Sequence, residues 1–111
     1  MRVRLKKTAV DWDLDHDTDY VVIGVDDENF RVVGKVAGPC LYKKELFDVL
    51  DATIPDRWVR KDCEEGDYYI DPPELAKPGF YERWHDGDPE ALAVFAKVYE
   101  EECLRAKVPD S

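Results

Sequence analysis

The sequence predicts a mainly β, α+β domain: a small antiparallel barrel or curled sheet of four to five strands from two hairpins, with a short helix and a C-terminal α-helix packed on it. Three observations predict it. The stretches 20–36 and 58–70 each hold two β-rich runs separated by turn residues. Apolar residues at spacings of three and four follow Asp88-Pro89. The 111 residues, 44% of them apolar, suffice for one core and not for two. The span 1–111 is therefore read as a single domain. Its parts are a basic edge strand and acidic loop (1–19), two hairpins with a short helix between them (20–71), a Pro/aromatic loop (72–87) and the C-terminal helix (88–107).

Val3 and Leu5 alternate with Arg2, Arg4 and Lys6, which predicts an edge strand whose cations discourage pairing with another chain. Asp11, Asp13, Asp15, Asp17 and Asp19 then occupy alternate positions. Aspartate forms strands and helices poorly, so a solvated acidic loop is expected. Tyr20-Val21-Val22-Ile23-Gly24-Val25 is apolar on both faces, as in a covered strand. Asp26 to Asn29 reads as a turn, after which Phe30, Val32 and Val36 oppose Arg31 and Lys35. Gly24 and Gly34 inside these strands predict bulges or bends.

Gly38-Pro39 ends the first hairpin. Leu46, Phe47 and Leu50 at helical spacing predict two turns of helix within 43–50, stopped by Pro55. Trp58–Lys61 and Tyr68–Ile70 flank a turn containing Gly66, and Asp71-Pro72-Pro73 ends this second hairpin. Phe80–His85 reads as one helical turn with docked aromatics. Asp88 is an N-cap candidate, and Pro89 fits the first helical position. Leu92, Phe95, Tyr99, Glu102 or Cys103, and Ala106 trace the expected stripe of a helix over 89–106 closed by Pro109. Glu101 is set to pair with Arg105. The order of elements resembles that of SH3-like small barrels, a likeness of fold without a diagnostic motif.

Sixteen basic side chains against 26 acidic ones leave a net charge of −10. Such a surface repels a phosphate backbone, so nucleic acid is not the expected partner. No run approaches the roughly 18 apolar residues of a membrane span. Met1 to Lys7 lead into no apolar signal core, and a cytoplasmic chain with no membrane partner is expected. Cys40, Cys63 and Cys103 are odd in number and widely spaced, which predicts reduced thiols. Ser111 is the one serine, so no Ser-His-Asp triad is expected. A thiol–imidazole pair would have to join one of the cysteines to His16 or His85, and no local spacing favours it. Gly24, Gly34 and Gly38 fit no phosphate-cradling pattern. Neither a catalytic residue nor a cofactor is expected.

What remains is contact. The expected function is a non-enzymatic acidic interaction module binding a basic protein or peptide. Trp58, Tyr68, Tyr69, Tyr81 and Trp84 would be its aromatic anchors, and Glu64 and Glu65 its charged rim. In profile (small, acidic, lacking catalytic motifs) the chain resembles immunity proteins, antitoxins and phage-encoded inhibitors. One alternative is a metal-binding regulator or metal-assisted hydrolase using Asp11, Asp13, Asp15, His16 and Asp17. The EF-hand frames from Asp11, Asp13 and Asp15 lack both the sixth-position glycine and the twelfth-position glutamate; from Asp11 these places hold His16 and Val22. A second alternative is a single-strand nucleic-acid binder through the Trp58–Tyr69 hairpin. There Arg57, Arg60 and Lys61 are opposed by Asp56, Asp62, Glu64, Glu65 and Asp67.

Overall fold

The computed structural model describes residues 1–63 and 65–107, the side chains of 106 and 107 excepted. It is an α+β protein, mainly β, built from two antiparallel sheets and a C-terminal helix. β1 (Arg2–Leu5), β2 (Asp19–Val21) and β6 (Phe47–Asp51) form a three-stranded sheet in the order β2-β1-β6. β3 (Gly24–Asp26), β4 (Asn29–Val33), β5 (Pro39–Lys43), β7 (Val59–Asp62) and β8 (Tyr68–Asp71) form the second, in the order β5-β4-β3-β8-β7. The sheets remain separate among the described residues, so the expected barrel closure does not occur.

The first expected strand is central, not an edge: β1 pairs with β2 on one side and β6 on the other. Its outward cations are neutralised instead by Asp19, which accepts from Nε of Arg4 at 2.8 Å. The apolar run 20–25 is not one strand. The chain leaves the first sheet after Val21 and enters the second at Gly24, and Val22 and Ile23 between them are both fully buried. Burial on both faces here comes from a crossing between sheets. The helix expected over 43–50 is a single 3-10 turn, Lys44–Leu46, followed by β6. Pairing with β1 supplies backbone hydrogen bonds that outweigh the helical spacing of Leu46, Phe47 and Leu50. Val36 lies beyond β4 and is 78% exposed, so it does not continue the face of Phe30 and Val32.

The second hairpin and both C-terminal helices, α1 (Phe80–His85) and α2 (Pro89–Lys107), form where expected. The buried stripe of α2 runs through Ala91, Phe95, Val98 and Glu102, while Leu92 is partly exposed. That rotation puts Glu102, not Glu101, against Arg105 at 3.1 Å. Pro109 lies outside the described residues.

Two apolar clusters result. One fills the space between the sheets with Val3, Leu5, Val22, Val32, Phe47 and their neighbours. The other lies under the helices and holds Ile23, Leu75, Phe80, Phe95 and Val98. Asp13, expected in a solvated loop, is fully buried. Its carboxylate accepts from the amides of Val36 (2.7 Å) and Ala37 (3.1 Å) and the Tyr42 hydroxyl (3.1 Å), clipping two loops together.

Candidate functional site

Strand alternation gives the five-stranded sheet two chemically different faces. Val25, Phe30, Val32, Tyr42, Tyr68 and Ile70 point into the core between the sheets. The opposite face carries one row across all five strands: Val59 opposite Asp71, then Gly24 beside it, opposite Arg31, itself opposite Leu41. In the next row Lys61 and Asp26 both pair with Tyr69. The segment from Leu75 to Glu82 arches over these rows. Amides of Leu75 and Ala76 bonded to the Pro72 carbonyl turn the chain back after β8. Gly79, with φ +74°, then sets up α1, and its buried Phe80 pins the arch. A cleft of about 470 Å³ is left between arch and sheet.

Asp71 is on the floor of this cleft. Burial pushes its carboxyl up to about 6, with Arg31 opposing the rise and Asp26 adding to it. Among the described residues no hydrogen bond reaches the Asp71 carboxyl, and no ion pair includes it. Beside it Asp26 and Arg31 are occupied, whereas Lys61, Lys77 and Glu82, which line the same cleft, form no ion pair among the described residues. Asp26 accepts from the amides of Glu28 (2.8 Å) and Asn29 (2.6 Å), holding the β3–β4 turn. The Arg31 guanidinium lies 3.7 Å from the centre of the Tyr81 ring and donates to the Pro39 carbonyl at 3.4 Å. The Tyr81 hydroxyl is buried with no partner among the described residues, and burial raises its phenol well above the ordinary value. Such a floor can receive a cation with an apolar stem: a carboxylate at the bottom, with Val59, Leu41, Tyr69 and Leu75 around it.

Of the aromatics expected as anchors, Tyr69 and Tyr81 line the cleft together. Trp58 is 7% exposed and donates its indole N–H to Glu102 at 3.3 Å, so it serves the interior. Tyr68 faces the core side, beneath Arg60 and bonded to Lys44. Trp84 packs on Phe95 and fills the space beside Gly38. Glu65 is exposed in the β7–β8 turn, and Glu64 lies outside the described residues. At the neighbouring tip the carboxyl of Asp27 beside Asp67 raises the Asp67 carboxyl above its ordinary value.

Among the described residues no three of His, Cys, Asp and Glu converge as a metal site. In the aspartate run Asp11 accepts from the Asp13 amide, Asp13 holds the 34–38 loop and Asp15 pairs with Lys35 at 2.9 Å, while Asp17 is exposed. His16 Nε2 lies 2.7 Å from the Ala9 carbonyl, His85 packs edge-on to Trp84, and the three cysteines are free and half-buried. In the hairpin considered for nucleic acid, Arg57 pairs with Glu74 and Arg60 with Asp62.

Asp71, Gly24 and Arg31 were not among the residues the sequence singled out for a site. The available signal was the period of two that puts Asp71 on the face of Tyr69, but its meaning needs the pairing of β8 with β3. No family model matches this chain, and neither the curated proteins nor the solved structures yield a match.

Proposed function

We propose that this chain is a non-enzymatic contact module that binds a basic protein or peptide segment, with one lysine or arginine of the partner seated over Asp71. The observation that carries the reading is Asp71 itself: a partly buried carboxyl on the floor of an open cleft, flanked by apolar side chains and without a partner among the described residues. A partner cation would add a directly bonded counter-charge to the more distant one of Arg31 while its methylene stem covers Val59 and Leu41. The net charge of −10 would speed the encounter. The tip where Asp27 and Asp67 crowd would gain from a nearby positive charge.

The test is a peptide array probed with the purified chain. Bound peptides should be enriched in arginine or lysine. Capture should weaken as salt rises, and Asp71→Asn should remove most of it. Capture that is insensitive to salt, or enriched in acidic peptides, would contradict the proposal.

A further inference from the structure

The edge of the five-stranded sheet next to Asp71 is open. β7 is the last strand in the order β5-β4-β3-β8-β7, and all four of its residues are exposed. Among the described residues its backbone groups bond to β8 and to nothing on the other side. An open strand edge offers main-chain donors and acceptors to any extended segment. Self-pairing is opposed here, because a second copy set antiparallel on β7 would bring Arg60 and Lys61 against their own like charges.

We propose that the partner segment adds to the sheet as a sixth strand along β7, and that one of its arginines or lysines reaches across Val59 to Asp71. This rests on the reading of Asp71 as a cation receptor and specifies how the cation is delivered. The distances fit. Strands lie about 4.8 Å apart, so an added strand would run roughly 9.5 Å from β8. An extended arginine or lysine side chain covers about 6 Å of that, and the Asp71 side chain, which lies over Gly24 on the far side of β8, spans most of the rest once it turns about its Cα–Cβ bond toward β7. Val59, opposite Asp71 and 43% exposed, lies under the path of the stem.

Alternation then constrains the partner's sequence. Residues two places from the cation fall in the row of Lys61 and Tyr69, so a second basic residue there is disfavoured and an aromatic or acidic one is accepted. The recognised pattern is one cation with non-basic residues at both alternate neighbours.

The probe is an acetylated, amidated peptide, Thr-Tyr-Val-Arg-Val-Tyr-Thr, carrying a fluorophore and titrated with the whole chain by anisotropy. Replacing its arginine with glutamine, or Asp71→Asn in the protein, should weaken binding tenfold or more. Thermal melts should show the variant folded. Only alternate amides of an added strand face β7. Methylating the backbone nitrogens of the two valines, or instead those of the arginine and tyrosines, should therefore give unequal results: tenfold or greater loss for one set, less than threefold for the other. Equal effects of the two sets would overturn the added strand and leave the cation receptor standing. Binding that ignores Asp71→Asn, or no binding at millimolar peptide, would overturn both.

Discussion

Gly24 and Asp71 face one another across the β3–β8 ladder, and the carboxyl of Asp71 occupies the space that any side chain at position 24 would need. The glycine's missing side chain is what lets a carboxyl settle between two strands on the floor of the cleft. Gly24→Ala should therefore expel the Asp71 side chain or push β8 aside, at a cost of about 1–3 kcal/mol. In a background of Asp71→Ala the same change should cost roughly 1 kcal/mol less, because the collision is gone. Urea denaturation of the four proteins measures this coupling. Strict additivity would show that the two positions do not meet.

Asp71 also dictates a pH dependence. Its folded value of about 6 lies above the ordinary 3.8, so the fold favours the protonated carboxyl. That contribution is complete below about pH 3.8 and is lost as the pH rises through 6. The shift corresponds to roughly 3 kcal/mol, which we discount to about 1–2 kcal/mol because the cleft admits solvent. Asp71→Asn should thus stabilise the protein by about 1–2 kcal/mol at pH 7 and by almost nothing at about pH 4. Peptide binding should run the other way and weaken below pH 6, since the cation needs the ionised form. The charged and titratable groups lining the cleft around the carboxyl are Arg31, Asp26, Lys61, Lys77, Glu82, Tyr69 and Tyr81. Their shared contribution is separated by the Asn variant, whose profile should be flat where the wild type bends.

Elements whose signal is local were legible in the sequence. The turn at Asp26–Asn29 joins β3 to β4, the Gly66 turn joins β7 to β8, and Asp88-Pro89 opens α2. The misread elements depend on distant segments. Nothing around Val22-Ile23 distinguishes a strand covered on both faces from a chain crossing between two sheets. The 47–51 segment becomes β6 because β1, more than 40 residues earlier, pairs with it. Asp13 resembles its four neighbours in the run, and its burial is imposed by a loop 23 residues away. Asp71 reads as the end of a strand before two prolines until the Leu75–Glu82 arch closes over it. The candidate site was less legible than the fold because its floor combines residues from five strands.

Asp13 should be among the costliest surface-loop positions to alter. Burial works against its charge, but the amides of Val36 and Ala37, the Tyr42 hydroxyl and Lys35 together hold the carboxyl below its ordinary 3.8. Asp13→Ala leaves two amides and a hydroxyl without an acceptor and should cost about 3 kcal/mol or more. Tyr42→Phe removes one of the three bonds and should cost about 1 kcal/mol. The sign here is opposite to that of Asp71: the stabilisation is intact above about pH 4 and lost as the pH falls further. Hydrogen exchange at Val36 and Ala37 is the direct measurement. Both amides should be protected in the wild type and exchange rapidly in Asp13→Ala.

Glu102 is a further buried acid on which the fold depends, and it ties α2 to the start of β7. It is 3% exposed, accepts from the Trp58 indole at 3.3 Å and from Arg105 at 3.1 Å, and lies 3.5 Å from Arg57. Arg57 has a further partner in Glu74, so its charge is not stranded when Glu102 is removed. The indole N–H has no such alternative among the described residues. Glu102→Gln keeps an acceptor for the indole and should cost about 1 kcal/mol. Glu102→Ala removes it, opens a space beside Trp58 and should cost about 3 kcal/mol. If the indole bond carries the difference, Trp58→Phe should reduce the cost of Glu102→Ala by about 1 kcal/mol in a double-mutant cycle. An unchanged cost would place the energy in the Arg57 and Arg105 pairs instead, and α2 would then be held chiefly by charge.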